Sequence, residues 1–236
     1  MCVVGYDDII DGGAFRIMNS WGTWWGDDGF VWVRYKDFAQ HVRYGYEMYL
    51  GNKKTQPYET TLSGSLTLRL ATGEDIPVRL SRNGDAIVYK SSQSYPSGTR
   101  YRILLSNNEP AYVYVLGCDN SYKPELLFPP TPQVSPALVY SSNNIAIPDE
   151  QWYIETDNTI GTDYLLVFYS NSKLPIEQIA SAISRAGGNI QKRVEESLAS
   201  LSVPNHDIAF NDNNIGFSTS SSQTVVPIIV EIPHRR

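Results

Sequence analysis

Residues 62–170 constrain this chain most, because apolar and polar side chains alternate through them with period two. Leu66, Leu68 and Leu70 point one way and Thr67 and Arg69 the other. Ile76, Val78 and Leu80 repeat the pattern. Side chains on successive residues of a strand leave on opposite faces, so this alternation fits a half-buried sheet and does not fit a helix. Further strands are expected at 101–105, 111–117, 125–128, 145–147, 152–156 and 164–169. Asn83-Gly84, Ser97-Gly98 and Asn107-Asn108 supply the turns between them. Many short strands at close spacing predict a β-sandwich or barrel. The 16 Tyr and 5 Trp suit strands as well.

Two helices follow. Pro175 suits a first turn, and Ile176, Ile179, Ala180 and Ile183 form one stripe that Gly187-Gly188 ends. Asn189 is placed to cap a second helix with the stripe Ile190, Val194, Leu198 and Leu201, which Pro204 ends. Helices are therefore expected near 175–187 and 189–203. The Asn- and Ser-rich stretch 205–223 reads as a long loop, and 225–232 as a closing strand. The expected fold class is mainly β with two helices (α+β).

The first fifty residues form a separate block. Strands are expected at 1–6, 15–19 and 29–35, and the polar stretch 51–61, with Lys53, Lys54 and Pro57, reads as a linker. The chain opens in mid-strand, with no basic n-region or apolar h-region of a signal peptide. That opening reads as an internal cut, or else as a true start with a short first strand. The expected domains are 1–50, a linker at 51–61, and 62–236.

Within the first block, Asn19-Ser20-Trp21-Gly22 is followed by Trp24-Trp25-Gly26 and Gly29-Phe30, and preceded by Val3-Val4-Gly5-Tyr6-Asp7. This ordered set resembles the C-terminal signature of the papain-like cysteine peptidases. The resemblance covers residues 1–50, and it implies a three-stranded remnant of that peptidase's β-domain. In such enzymes a Cys thiolate attacks the peptide carbonyl, a His shuttles the proton, and an Asn orients the imidazole. The resemblance makes Asn19 the orienting Asn and Trp21 the shield over its hydrogen bond. It places the catalytic His just before Met1, and His41, His206 and His234 do not match that position. Neither of the 2 Cys lies in a nucleophile context. Cys2 reads as a buried strand thiol and Cys118 as a structural one. The parent protein is thus expected to hydrolyse peptide or protein substrates, and this chain alone to be inactive. The three strands are expected to pack on the accessory domain or on a second copy.

Residues 62–172 resemble an uncharacterised bacterial domain that recurs C-terminal to peptidase and kinase-type modules. The resemblance rests on Ile103-Leu104-Leu105-Ser106-Asn107, Ala111-Tyr112-Val113-Tyr114-Val115, Glu125-Leu126-Leu127-Phe128-Pro129, Asn144-Ile145-Ala146-Ile147-Pro148 and 161–169. It implies a β-sandwich-like accessory domain but no reaction. The alternative function is a non-catalytic module that binds a peptide, glycan or protein. Tyr112 and Tyr114, sharing a strand face, would be its stacking platform or else ordinary sandwich aromatics.

With Lys plus Arg at 19 and Asp plus Glu at 25, the net charge of −6 argues against a nucleic-acid partner. No apolar run reaches the length of a membrane span. The acidic turns at Asp7, Asp8 and Asp11 and at Asp27 and Asp28 lack calcium-loop spacing and read as solvated turns, so no metal or other cofactor is expected. The sequence leaves location open; the resemblance suggests export from a bacterial cell for the parent.

Overall fold

The computed structural model describes residues 1–43, 61–84, 86–132, 134–139, 141, 144–148 and 151–235. The expected linker at 51–61 lies outside the described residues except for Thr61. The chain divides into two compact units, Met1–Thr55 and Gln56–Arg236.

The first unit holds strands β1 (Cys2–Asp7), β2 (Ala14–Met18) and β3 (Phe30–Arg34) and the helix α1 (Tyr35–His41). The strands form an antiparallel sheet in the order β1-β2-β3, with Tyr6 opposite Phe15 and Phe15 opposite Val33. Gly13 enters β2 at φ 106°, where a Cβ would collide with the Tyr35 ring, so only glycine fits. Helix α1 was not expected from the sequence. Asp37 in its first turn pairs with Arg34 at 2.6 Å, and the rings of Tyr35 and Phe38 pack on Phe15 at 4.5 and 4.8 Å. Tertiary contacts of that kind outweigh the weak helical pattern of so short a segment. Cys2, expected to be buried, is exposed on the edge strand β1.

The second unit is a layered β structure. Its first strands are β4 (Leu62–Leu70), β5 (Val78–Asn83), β6 (Ala86–Ser91), β7 (Tyr95–Pro96), β8 (Arg100–Asn107) and β9 (Ala111–Cys118). Then come β10 (Glu125–Phe128), β11 (Ala137–Leu138), β12 (Ile145–Ile147), β13 (Ile154–Glu155) and β14 (Gly161–Ser170). The helices α2 (Ile176–Arg185) and α3 (Ile190–Leu198) precede β15 (Ala209–Phe210), β16 (Ile215–Thr219) and β17 (Val225–Arg235). One sheet runs β10-β9-β14-β17-β6-β5, with β11 on β9 and β7 on β17. The other runs β12-β8-β4-β16-β15, with β13 on β8.

Between the two sheets lies a core that includes Leu66, Leu68, Ile103 and Leu105 from one face and Val115, Val167, Ile228 and Val230 from the other. Helices α2 and α3 cover the opposite face of the first sheet. There Ile179, Ile183, Ile190, Val194 and Leu198 meet Leu116, Leu166, Phe168 and Ile229. The order of layers is therefore sheet, sheet, helices. The protein is mainly β with helices added, as the sequence predicts, although three α-helices are present among the described residues where two are expected. No helix among the described residues is long and apolar enough to cross a membrane.

The stretch 205–223 is not a long loop. It contains a 3-10 turn at Asn205–Asp207 and the strands β15 and β16. Ile215, Phe217 and Thr219 alternate inward while β16 pairs with β4, so a short buried strand hides inside an Asn/Ser-rich composition.

Candidate functional site

Two places collect functional residue types, one in each unit. In the first, Asn19 follows the end of β2, and its backbone N–H donates to the Gly29 carbonyl at 3.0 Å. This closes the loop between β2 and β3. Gly22, Gly26 and Gly29 all take positive φ. A Cβ at Gly26 would strike the Phe30 carbonyl, so glycine is sterically required there. The Asn19 side chain is half-buried, and its Oδ1 accepts from the Ser20 N–H at 2.8 Å. Trp21 stacks edge-on against Trp25, with ring centroids 5.2 Å apart, and remains 58% exposed. The expected pair thus sits on one tight loop, with Trp21 facing outward. His41 closes α1 and is exposed. His206 lies in the 3-10 turn before β15 and is also exposed.

The second place was missed from sequence. His234 falls beyond the closing strand expected at 225–232; instead it lies in β17, and its side chain is 0% exposed. Gly161 of β14 sits opposite His234, and Asp163 sits opposite Ile232. Asp163 and His234 are therefore diagonal neighbours on one sheet face. The His234 Nδ1 lies 3.3 Å from Asp163 Oδ2 and 3.9 Å from Asp157 Oδ1. Neither Nδ1 nor Asp163 Oδ2 has a hydrogen-bond partner in line, although both are buried. The other ring nitrogen, Nε2, is 2.9 Å from Ser97 Oγ. Asp157 comes from the connection between β13 and β14 and is held by Thr159, whose N–H donates to Oδ1 at 2.6 Å and whose hydroxyl donates to Oδ2 at 3.0 Å.

Burial, more than the neighbouring Asp157 carboxylate, raises the Asp163 pKa above the usual range, and His234 opposes that rise only in part. Asp157 and Asp163 line a cleft of about 340 Å³ that also contains Cys118 and Asp119. Burial, and then the charges of Asp119 and Asp163, push the Cys118 thiol up to about 12. This agrees with a structural cysteine. Tyr114 of the suggested stacking platform is buried and accepts a hydrogen bond from the Leu174 N–H at 3.0 Å, beneath the helices. It is a core residue and cannot stack a ligand, while its neighbour Tyr112 is half-buried. In the acidic turns, Asp7 accepts from the Ile9 N–H and Asp8 from the Tyr35 hydroxyl, so both serve the local backbone and ring.

Residues 94–173 match the family model described as a domain of unknown function (DUF4384). The matched stretch runs from β7 to just past β14. It includes Ser97, Asp157 and Asp163 but stops well short of His234. No curated protein and no solved structure matches the chain. The cluster could not be read from spacing, because its members stand at 97, 157, 163 and 234. Only the pairing of β14 with β17, and of β17 with β7, brings them together.

Proposed function

We infer that the first unit is the C-terminal part of a papain-like cysteine peptidase, and that the second unit is its accessory domain. The observation that carries this reading is the ordered signature itself, Asn19-Ser20-Trp21-Gly22 with Trp24-Trp25-Gly26 and Gly29-Phe30. The loop geometry supports it. The signature glycines take the positive-φ conformations that close the β2–β3 connection, and Asn19 sits at its mouth with a side-chain oxygen that accepts one bond from the Ser20 N–H and keeps a second lone pair.

An amide suits this position for a physical reason. It accepts a hydrogen bond from an imidazole N–H without adding a second charge beside the imidazolium. Asn19 is then a positioning residue, acting through a histidine outside this chain's own three. A nucleophile must likewise come from elsewhere. Cys2 lies exposed on an edge strand, outside the sequence context of a nucleophile, and Cys118 carries a thiol that burial holds protonated.

The test has two arms. The 236-residue chain alone is expected to release no fluorophore from a peptide substrate in the presence of a thiol reductant. Thiol-dependent cleavage by this chain would overturn the reading. The parent protein is expected to cleave, and Asn19→Ala in it should lower kcat by about tenfold or more, because the general base is no longer held in line. An unchanged kcat in that variant would remove Asn19 from the mechanism.

A further inference from the structure

Among the described residues, one group of His, Cys, Asp and Glu brings its donor atoms within 4.8 Å of one another: Asp157, Asp163 and His234. We propose that these three residues bind a divalent transition-metal ion, with zinc the best fit, at the seam between the two sheets of the second unit. The site is unrelated to the peptidase signature, and the proposal does not depend on that reading.

Three observations carry it. The first is an unmet need. A ring nitrogen and a carboxylate oxygen are buried face to face, yet neither has an aligned hydrogen bond. Buried polar atoms left in that condition are rare, and each calls for a partner. A cation supplies one partner to both atoms at once.

The second is distance. Two ligands about 2.1 Å from a tetrahedral zinc stand roughly 3.4 Å apart. The His234 Nδ1 and Asp163 Oδ2 are 3.3 Å apart. Asp157 Oδ1 is farther from Nδ1, at 3.9 Å, on a side chain that is 59% exposed and tied to Thr159, two residues along the same connection. Closing that gap takes a movement of roughly 0.5 Å.

The third is the surrounding shell. Ligating histidines usually donate their second ring N–H to an oxygen, which fixes tautomer and orientation. Ser97 Oγ stands at 2.9 Å from Nε2 and fills that role. Thr159 grips the Asp157 carboxylate in the same way. One imidazole and two carboxylates form a nitrogen–oxygen set that suits zinc or manganese more than calcium, which prefers oxygen alone. Since Asp157 and Asp163 line the cleft, a fourth position would open onto it.

The placement also gives the ion a mechanical role. His234 and Asp163 belong to the larger sheet, whereas Asp157 follows β13, which pairs in the smaller one. A bound metal would pin the end of the sandwich across its two layers.

The experiment uses the full, untagged chain stripped with a chelator and then titrated calorimetrically with zinc chloride. One equivalent is expected to bind, with a rise in melting temperature that the chelator reverses. Asp157→Asn changes an exposed side chain, so it should fold as the parent chain does while losing affinity by about tenfold or more. Ser97→Ala should weaken binding in the same direction. Cobalt substituted for zinc should give ligand-field bands without a thiolate charge-transfer band. The proposal is overturned if no stoichiometric zinc binds, if Asp157→Asn and Asp163→Asn both leave affinity unchanged, or if a thiolate band puts Cys118 among the ligands. A buried His–Asp ion pair with no metal affinity is what the first of those results would mean.

Discussion

At the scale of single residues, the two cysteines show how far sequence context can mislead. Both sit among strand residues, so both read as inert. The structure separates them. Cys2 lies exposed on an edge strand, and Cys118 is half-buried next to two carboxylates. Reactivity follows the thiolate fraction, and a thiol held at about 12 has almost none at neutral pH. With iodoacetamide at pH 8, the exposed Cys2 is expected to be alkylated well before Cys118, whose thiolate at that pH is only about one part in ten thousand. Raising the pH should speed Cys118 about tenfold per unit, because each unit below the pKa multiplies its thiolate by ten. Mass mapping of the alkylated peptides checks this, and equal rates at pH 8 would show that Cys118 is not desolvated. His234 teaches the same lesson in reverse. Its neighbours Pro233 and Arg235 look like a tail, yet its side chain is wholly buried. No local signal marks it, because burial there is decided by strands that lie far apart in sequence.

At the scale of elements, the sequence was legible where one face of a strand is wet. Along β4 and β8 buried and less buried residues alternate, and the period-two reading places both strands. In β9 and β14 nearly every residue from Val113 to Leu116 and from Leu165 to Ser170 is buried. Such strands are covered on both sides, one side by the facing sheet and the other by α2 and α3. Periodicity locates them but cannot say that they are central. β6 and β16 were missed for different reasons. β6 carries the strand formers Ile87, Val88 and Tyr89 but follows directly on the Asn83-Gly84 turn and lacks a clean period-two alternation, and β16 sits in a polar composition. The helices were the clearest elements, because capping and stripe agree. Asn189 Oδ1 accepts the Lys192 N–H at 3.0 Å, as its position before the second stripe predicts. Replacing it with Ala removes that bond and leaves a helix N–H unpaired. Asn189→Ala should cost about 1 kcal/mol, which in a protein of this size lowers the melting temperature by about 2–4 °C. A thermal melt followed by circular dichroism reads it. No shift would mean that the cap contributes nothing in this context.

At the scale of the whole molecule, the question is whether the second unit needs the first in order to fold. Its two apolar cores answer from composition: every residue of both lies between Leu62 and Ile232. Its final strand, β17, pairs with β14 through ten successive positions, from Gly161 opposite His234 to Ser170 opposite Val225. The chain's last residues are thus stitched to its middle, and the fold closes within this unit. Tyr89 adds another long-range tie, since its hydroxyl donates to the Gly216 carbonyl at 2.7 Å. A segment that supplies its own core and pairs its own terminal strand has the physical properties of an independent domain. Residues 56–236 expressed alone are therefore expected to unfold in one cooperative transition, with a melting temperature within a few degrees of that seen for the same unit in the full chain. Chemical denaturation with two probes, tyrosine fluorescence and far-ultraviolet dichroism, should give coincident curves. Non-coincident curves would show that these residues do not fold as one cooperative unit, and a truncated protein that fails to fold would show that the first unit contributes stability its own sequence does not advertise. A folded truncation that still takes up one zinc would place the metal site, and with it the closure of the sandwich, in this unit alone.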